Sequence, residues 1–159
     1  MVLRVKDIMT KKVIVLKPND NIKDAIHKLV KYDIYSLPVV DEKKKLVGLV
    51  TEGDIIRSID AYFPVIRHEH ENIFAIVLAI LDAKKDEFSA VKDSILRGIH
   101  IKVSDVMNRC PKIIGPNENV YEAVKRMNKY KVRVLPVIDK NQRLLGIIAR
   151  QDIIRELGK

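Results

Sequence analysis

The hydrophobic and polar positions of this 159-residue chain follow strand and helix periodicities in an order that occurs twice. The β-rich run Val13–Leu16 predicts a strand. Apolar residues at helical spacing follow Asn21 and predict a helix, with Asp24 as the acidic partner of a capping box. Two apolar strands joined by the polar turn Asp41–Lys45 then predict a hairpin. A last helix is predicted over Glu52–Ile59, which completes a βαββα unit.

The second copy of this unit starts 98 residues after the first, and the two copies align without a gap. The segment Val5–Arg57 falls on Val103–Arg155, and about a third of the aligned positions are identical. Each copy is about half the size of an ordinary domain, so we expect the two to share one core. The sequence therefore predicts an α/β (α+β) fold of two βαββα repeats, residues 1–59 and 103–159, related by pseudo-twofold symmetry.

The segment between the copies, residues 60–102, has no counterpart in either repeat. Its apolar spacing predicts a helical linker, with one helix from Pro64 to about Ala83 and a second over Asp86–Arg97. A strand within Ala75–Ile80 is the alternative, because β-branched residues are concentrated there. We expect this insert to pack on the repeats or on a second subunit.

The composition narrows the class of protein. The chain carries 30 basic and 21 acidic residues, a formal charge of +9, which either attracts anions or reflects a solvated lysine-rich surface. The single cysteine rules out an internal disulfide. No apolar run is long enough to span a membrane and no signal peptide is evident, so the predicted location is the cytoplasm.

Motifs for catalysis and metal binding are missing from the sequence. It contains no nucleophile elbow, no dinucleotide fingerprint and no phosphate-binding Gly-Lys-Ser/Thr loop, so we predict that the chain is not an enzyme. His68 and His70 would point about 200° apart on a helix, which does not favour a metal site.

Three motifs recur in the same order in both copies. In the first copy they are Val5-x-Asp-Ile-Met9, Leu37-Pro-Val-Val-Asp41 and the segment Gly48–Ile56. On these residues the repeat resembles the CBS domain, and the chain resembles a stand-alone CBS pair, or Bateman module. The resemblance covers about two thirds of the chain and leaves the insert unexplained.

This resemblance implies two units packed sheet to sheet, with two related clefts between them. It also implies an adenosine-containing ligand (AMP, ADP, ATP or an S-adenosylmethionine-type compound), with no further cofactor. Members of the family regulate other proteins, for example in energy sensing, and often form homodimers. We therefore expect a homodimer and a regulated protein partner that the sequence does not identify.

The resemblance also assigns candidate binding residues. Asp54 and Asp152 would accept hydrogen bonds from ribose hydroxyls, and Thr51 would contact phosphate beside the free N–H groups of a helix N-terminus. An alternative needs no ligand, because Thr51-x-x-Asp54 is also a helix-capping arrangement. In the second copy Ala149 replaces the threonine, so the hydroxyl of that capping pair is lost there.

Further candidates differ between the two copies. Arg133 and Arg150 are candidate phosphate ligands, and Tyr35, the counterpart of Arg133, would stack on a base or fill the core. The backbone that holds the adenine edge would come from Val13, Ile14, Lys112 and Ile113. Cys110 is expected to be a small buried residue.

Two functions are compatible with the sequence. The first is a regulatory module that senses an adenosine-containing ligand and changes its affinity for a partner. The second is a scaffold that binds no ligand. The positive charge would allow such a scaffold to associate with nucleic acid, although no binding motif supports this.

Overall fold

The computed structural model of the chain describes residues 2–62 and 100–159, and each range contains the same order of elements. A one-turn helix is followed by an 11-residue helix, a two-stranded antiparallel sheet and a final helix. The first range contains α1 (Val5–Ile8), α2 (Ile22–Tyr32), β1 (Ser36–Val40), β2 (Leu46–Thr51) and α3 (Glu52–Tyr62). The second contains α4 (Val103–Val106), α5 (Val120–Tyr130), β3 (Val134–Ile138), β4 (Leu144–Ala149) and α6 (Arg150–Leu157). The predicted mixed α/β architecture is confirmed, whereas the helices predicted in the insert lie outside the described residues.

Of the capping residues predicted for the long helices (Asn21 with Asp24, and Asn119 with Glu122), all but Glu122 form the expected bonds, and Glu122 accepts from Lys125 at 3.1 Å instead. The side chain of Asn21 accepts a hydrogen bond from the Lys23 amide at 2.9 Å, and Asp24 accepts one from the Asn21 amide at 3.0 Å. In the second repeat Asn119 accepts from the Tyr121 amide at 2.7 Å. These bonds satisfy N–H groups that have no partner inside the helix and therefore fix where α2 and α5 begin.

The strand predicted over Val13–Leu16 is shortened to one residue. Leu16 donates to the carbonyl of Pro38 and accepts from the Val40 amide, both at 2.9 Å, as a single parallel bridge. The prediction of a longer strand is wrong, because a parallel ladder that continued toward Val13 would need an amide hydrogen on residue 38. Pro38 has none to donate to the carbonyl of Ile14.

Each repeat has its own core, and each core includes residues from the other repeat. The expectation of one shared core is therefore wrong. Val5, from the start of the first repeat, is fully buried among the core residues of the second. Ile101, Val103 and Met107 are buried among those of the first. Accordingly α1 packs against α6 and β4, and α4 packs against α3 and β2.

The segment that begins each repeat packs on the other repeat, an arrangement that we call the exchange. Backbone hydrogen bonds hold it in place. Thr10 and Ile147 exchange two hydrogen bonds, at 2.9 and 3.0 Å, so the segment after α1 pairs with the last strand of the second repeat. Asn108 and Leu49 form the equivalent pair on the other side, also at 2.9 and 3.0 Å. The segment that begins each repeat thus extends the sheet of the other repeat.

The methionine and glycine of the recurring motifs meet at these exchange points. A Cβ atom added at Gly146 would lie 2.7 Å from Met9 Sδ and 2.8 Å from the carbonyl oxygen of Thr10. A Cβ atom at Gly48 would lie 2.6 Å from Met107 Sδ and 3.1 Å from the Asn108 carbonyl oxygen. Both glycines are therefore required by close approach of the exchanged segment, and their φ angles are not in the left-handed region.

We predict that Gly146→Ala lowers the free energy of unfolding by about 1–3 kcal/mol, because the added methyl group overpacks against Thr10 backbone that cannot rotate away. Gly48→Ala should cost less, since its closest contact is the flexible end of Met107. Gly158→Ala is the control, because its Cβ would come no closer than 3.6 Å to other atoms. Urea denaturation of the three variants measures these differences. Equal stability of Gly146→Ala and Gly158→Ala would contradict the proposed close approach.

Candidate functional site: two clefts between the repeats

Two clefts lie between the repeats, and we name them after the aspartate that each contains. The Asp54 cleft has a volume of 560 Å³ and the Asp152 cleft one of 410 Å³, both in the range of small-molecule sites. The Asp54 cleft combines the start of α3 with residues that follow Met107. The Asp152 cleft combines the start of α6 with residues that follow Met9. Each cleft therefore requires both repeats, as a result of the exchange.

The carboxylate of Asp54 is bound on both oxygens. Its Oδ2 accepts from the amide of Thr51 at 2.8 Å and from the Thr51 hydroxyl at 2.7 Å. Its Oδ1 accepts from the Arg57 guanidinium at 2.5 Å. The capping interpretation is thus confirmed for Thr51 and Asp54, and Arg57 adds a partner on the cleft side.

The carboxylate of Asp152 has a looser set of partners. Its Oδ2 accepts from the Ala149 amide at 2.8 Å, so this aspartate still caps its helix although the threonine hydroxyl is missing. Its Oδ1 is 3.4 Å from a guanidinium nitrogen of Arg155 and 3.5 Å from the hydroxyl of Thr10. Hydrogen bonds at these lengths are weak, so Oδ1 of Asp152 retains more accepting capacity than Oδ1 of Asp54.

The two clefts have the same formal charge. Four basic and two acidic residues line each of them, an excess of two positive charges. Glu52 in the Asp54 cleft is balanced by Asp33 in the Asp152 cleft. A difference in affinity between the clefts could therefore not come from their net charge and would have to come from local geometry. The basic residues are Arg57, Lys112, Lys131 and Arg133 in one cleft, and Lys12, Arg133, Arg150 and Arg155 in the other.

The structure brings most of the predicted site residues into these clefts. Thr51, Asp54 and Lys112 line the Asp54 cleft, whereas Val13, Ile14, Arg150 and Asp152 line the Asp152 cleft. Tyr35 and Arg133 line both clefts, and Tyr35 is 57% exposed and therefore does not fill the core.

Two residues lie elsewhere than expected. Ile113 lines neither cleft and instead borders a separate groove together with Arg126 and Lys140. Cys110 is exposed at the edge of the Asp54 cleft, so the expectation of a buried cysteine is wrong. Its amide donates to the side chain of Asn108 at 3.0 Å, and this local turn holds the segment at the surface.

Sequence reasoning overlooked the arginines that contact the two aspartates. Arg57 and Arg155 occupy the same position of the two repeats, three residues after the aspartate. Residues at this spacing face each other on a helix, so the repetition of an Asp-x-x-Arg pair was the available signal. Thr10 was also missed, because only the exchange brings it to the Asp152 cleft.

The described residues contain no metal-binding cluster of three or more His, Cys, Asp or Glu side chains. None of the described helices combines the length and apolar character that crossing a membrane requires.

Two repeats that exchange segments and enclose a pair of clefts define a paired-repeat module. Comparison with known families assigns the chain more closely. The family model for the CBS domain matches residues 5–61 and 103–159, and the chain belongs to this family.

Several known proteins are similar to this one. "Uncharacterized protein MJ1426" of Methanocaldococcus jannaschii is 33% identical over 163 residues, which cover 98% of this chain and 92% of the relative. The CBS domain pair of protein MJ0100, solved in complex with 5′-methylthioadenosine and S-adenosyl-L-methionine, is 28% identical with a TM-score of 0.70, covering 98% of this chain and all of that one. CBSX2 of Arabidopsis thaliana, solved in complex with AMP, is 26% identical with a TM-score of 0.69, covering 97% of this chain and 95% of that one.

The capping bonds at the starts of α3 and α6 predict a reciprocal pair of stability changes. Thr51→Ala removes a hydroxyl that donates to Asp54 and accepts from its amide, so we expect a loss of about 0.5–2 kcal/mol in unfolding free energy. Ala149→Thr should increase stability, because it supplies the equivalent hydroxyl beside Asp152. Chemical denaturation without ligand measures both changes. A Thr51→Ala variant with the same unfolding free energy as the unchanged protein would show that the hydroxyl is not part of the cap.

Proposed function

We propose that this protein is a regulatory module that binds an adenosine-containing ligand in the clefts between its repeats and thereby modulates a partner protein. The observation that carries the proposal is the repeated pairing, in both clefts, of a largely buried carboxylate at a helix N-terminus with four basic residues. A carboxylate that accepts from a diol, beside cations that bind phosphate, matches the two polar parts of a nucleotide. The complexes of MJ0100 and CBSX2 with adenosine compounds support this choice of ligand class.

In the proposed complex, the ribose hydroxyls donate to Oδ1 of the aspartate and replace the arginine three residues later. Arg57 and Arg155 are largely exposed, at 73% and 67%, so either side chain can turn away without leaving a buried charge. The phosphate or other polar end then lies toward the helix N-terminus, near Arg133 and, in the Asp152 cleft, Arg150. The adenine edge is held beside Val13–Ile14 in one cleft and beside Lys112 in the other.

We propose that the Asp152 cleft binds more tightly than the Asp54 cleft. Displacing Arg155 at 3.4 Å from Asp152 costs less than displacing Arg57 at 2.5 Å from Asp54. The Asp152 cleft also contains Arg150 where the Asp54 cleft contains Glu52, so the residue at the start of its helix favours an anion.

Regulation of a partner would use the exchanged segments. Lys12–Ile14, which lines the Asp152 cleft, lies directly after Thr10, which pairs with β4. A ligand held between these groups would bind both repeats and favour one arrangement of them over another. We also propose that the protein takes part in energy sensing, forms a homodimer and is located in the cytoplasm.

The first test is calorimetric titration of the protein with AMP, S-adenosylmethionine and 5′-methylthioadenosine. Asp152→Ala should weaken binding of the ligand by about tenfold to 100-fold, which is the loss expected for hydrogen bonds to a charged group. Asp54→Ala should have a smaller effect on the tighter site. Asp24→Ala is the matched control, because Asp24 also caps a helix through its carboxylate but lies outside both clefts.

Thermal melting of the same variants separates folding from binding. If none of the three ligands binds a chain that melts cooperatively, the proposal is wrong and the scaffold interpretation replaces it. If Asp24→Ala weakens binding as much as Asp152→Ala does, the aspartates act only through helix stability.

A second prediction concerns the chemical group that Arg150 contacts. Arg150→Gln should weaken the binding of AMP by about tenfold and leave the affinity for 5′-methylthioadenosine unchanged. Of the two compounds, AMP alone has a phosphate for the guanidinium to bind. Titration of both ligands measures the ratio. Equal losses for both would show that Arg150 does not contact phosphate.

A further inference from the structure

Arg133 and Tyr35 occupy the same position in the two repeats, and both line both clefts. Four residues are common to the two clefts: Tyr35, Ser36, Arg133 and Val134. Among these four, Arg133 is the one with a charged side chain. The wall between the clefts therefore holds one cation where pseudo-twofold symmetry would place two.

Arg133 is also available to a ligand. Within residues 2–62 and 100–159, no ion pair or hydrogen bond engages its guanidinium, whereas its backbone carbonyl accepts from the Arg150 amide. The other arginines of the clefts have partners. Arg57 and Arg155 bind the aspartates, and Arg150 donates to the carbonyl of Val132 at 3.3 Å.

We propose that Arg133 couples the two clefts, so that a phosphate-bearing ligand in one cleft weakens the binding of a second phosphate-bearing ligand in the other. This inference rests on the proposed function. A guanidinium binds phosphate with two parallel hydrogen bonds in a fixed plane, and one such contact uses its charge and most of its donors. The second phosphate then faces a wall that has no other cation, because Tyr35 is neutral.

The coupling depends on the ligand. A compound with the same adenosine part and no phosphate does not contact Arg133 and fills the two clefts independently. Because coupling between two sites is reciprocal, it does not matter which cleft fills first. The clefts thus distinguish phosphorylated from unphosphorylated adenosine compounds by how many molecules bind and by the affinity of the second.

The test is isothermal titration of the whole chain with AMP and with adenosine. The ratio of the first to the second affinity for adenosine measures the intrinsic difference between the two clefts. For AMP we expect this ratio to be at least about fivefold larger than for adenosine. Tyr35→Arg supplies the missing cation, so the ratio for AMP should fall toward the ratio for adenosine.

Two further variants complete the experiment. Tyr32→Arg adds the same charge on α2, outside both clefts, and should leave the coupling for AMP unchanged. Arg133→Gln should weaken binding of the first AMP. It should also remove that part of the difference between the first and second AMP affinities that the shared guanidinium causes. Melting temperatures show whether each variant is folded.

The outcomes separate this inference from the proposed function. A ratio of affinities for AMP no larger than that for adenosine, or a larger ratio that survives Tyr35→Arg, would each overturn the role of Arg133 while adenosine-ligand binding stands. One AMP and two adenosine molecules per chain, with a second AMP restored by Tyr35→Arg, would support it in its strongest form. One molecule per chain of AMP and also only one of adenosine would overturn it. Binding of neither ligand would overturn the proposed function and this inference together.

Discussion

Both the fold and the clefts depend on the reciprocal exchange of the segments that begin the two repeats. Val5 is fully buried among core residues of the second repeat, and Val103 among those of the first. Removing either segment from its host would expose apolar surface and break the backbone pairs made by Thr10 and Asn108. Because each segment continues into the cleft of its host, folding and assembly of the clefts are one process. A ligand that bound both walls of a cleft, as we propose, would therefore act on the same contacts that join the repeats.

The sequence predicted those features that local interactions determine. The helices that follow Asn21 and Asn119 begin where their capping residues indicate, and the hairpins form between apolar strands with the same turn in both copies. The repeated aspartates predicted where the clefts would lie. Their capping bonds were also predictable, because a carboxylate three residues into a helix is placed to accept from the first amide.

The exchange could not be predicted by aligning the two repeats with each other, because an alignment does not show which repeat a residue contacts. Met9 and Met107 occupy the same motif position, as do Gly48 and Gly146, so the pattern fits contact within a repeat as well as contact between repeats. Only the structure pairs Met9 with Gly146. The same ambiguity hid Thr10 as a residue of the Asp152 cleft. The shortened strand at Leu16 has a different cause, since β-propensity in Val13–Leu16 does not show that the partner strand contains a proline.

The double role of the two aspartates limits what ligand binding can contribute. Asp54 and Asp152 accept hydrogen bonds from their own helices and from arginines, so neither carboxylate is buried without partners. These bonds offset the cost of burying the two charges. In the proposed complex a ribose exchanges with an arginine, so part of the binding energy would be used to displace Arg57 or Arg155. The geometry of that contact, closer in the Asp54 cleft than in the Asp152 cleft, would then set the order in which the clefts fill.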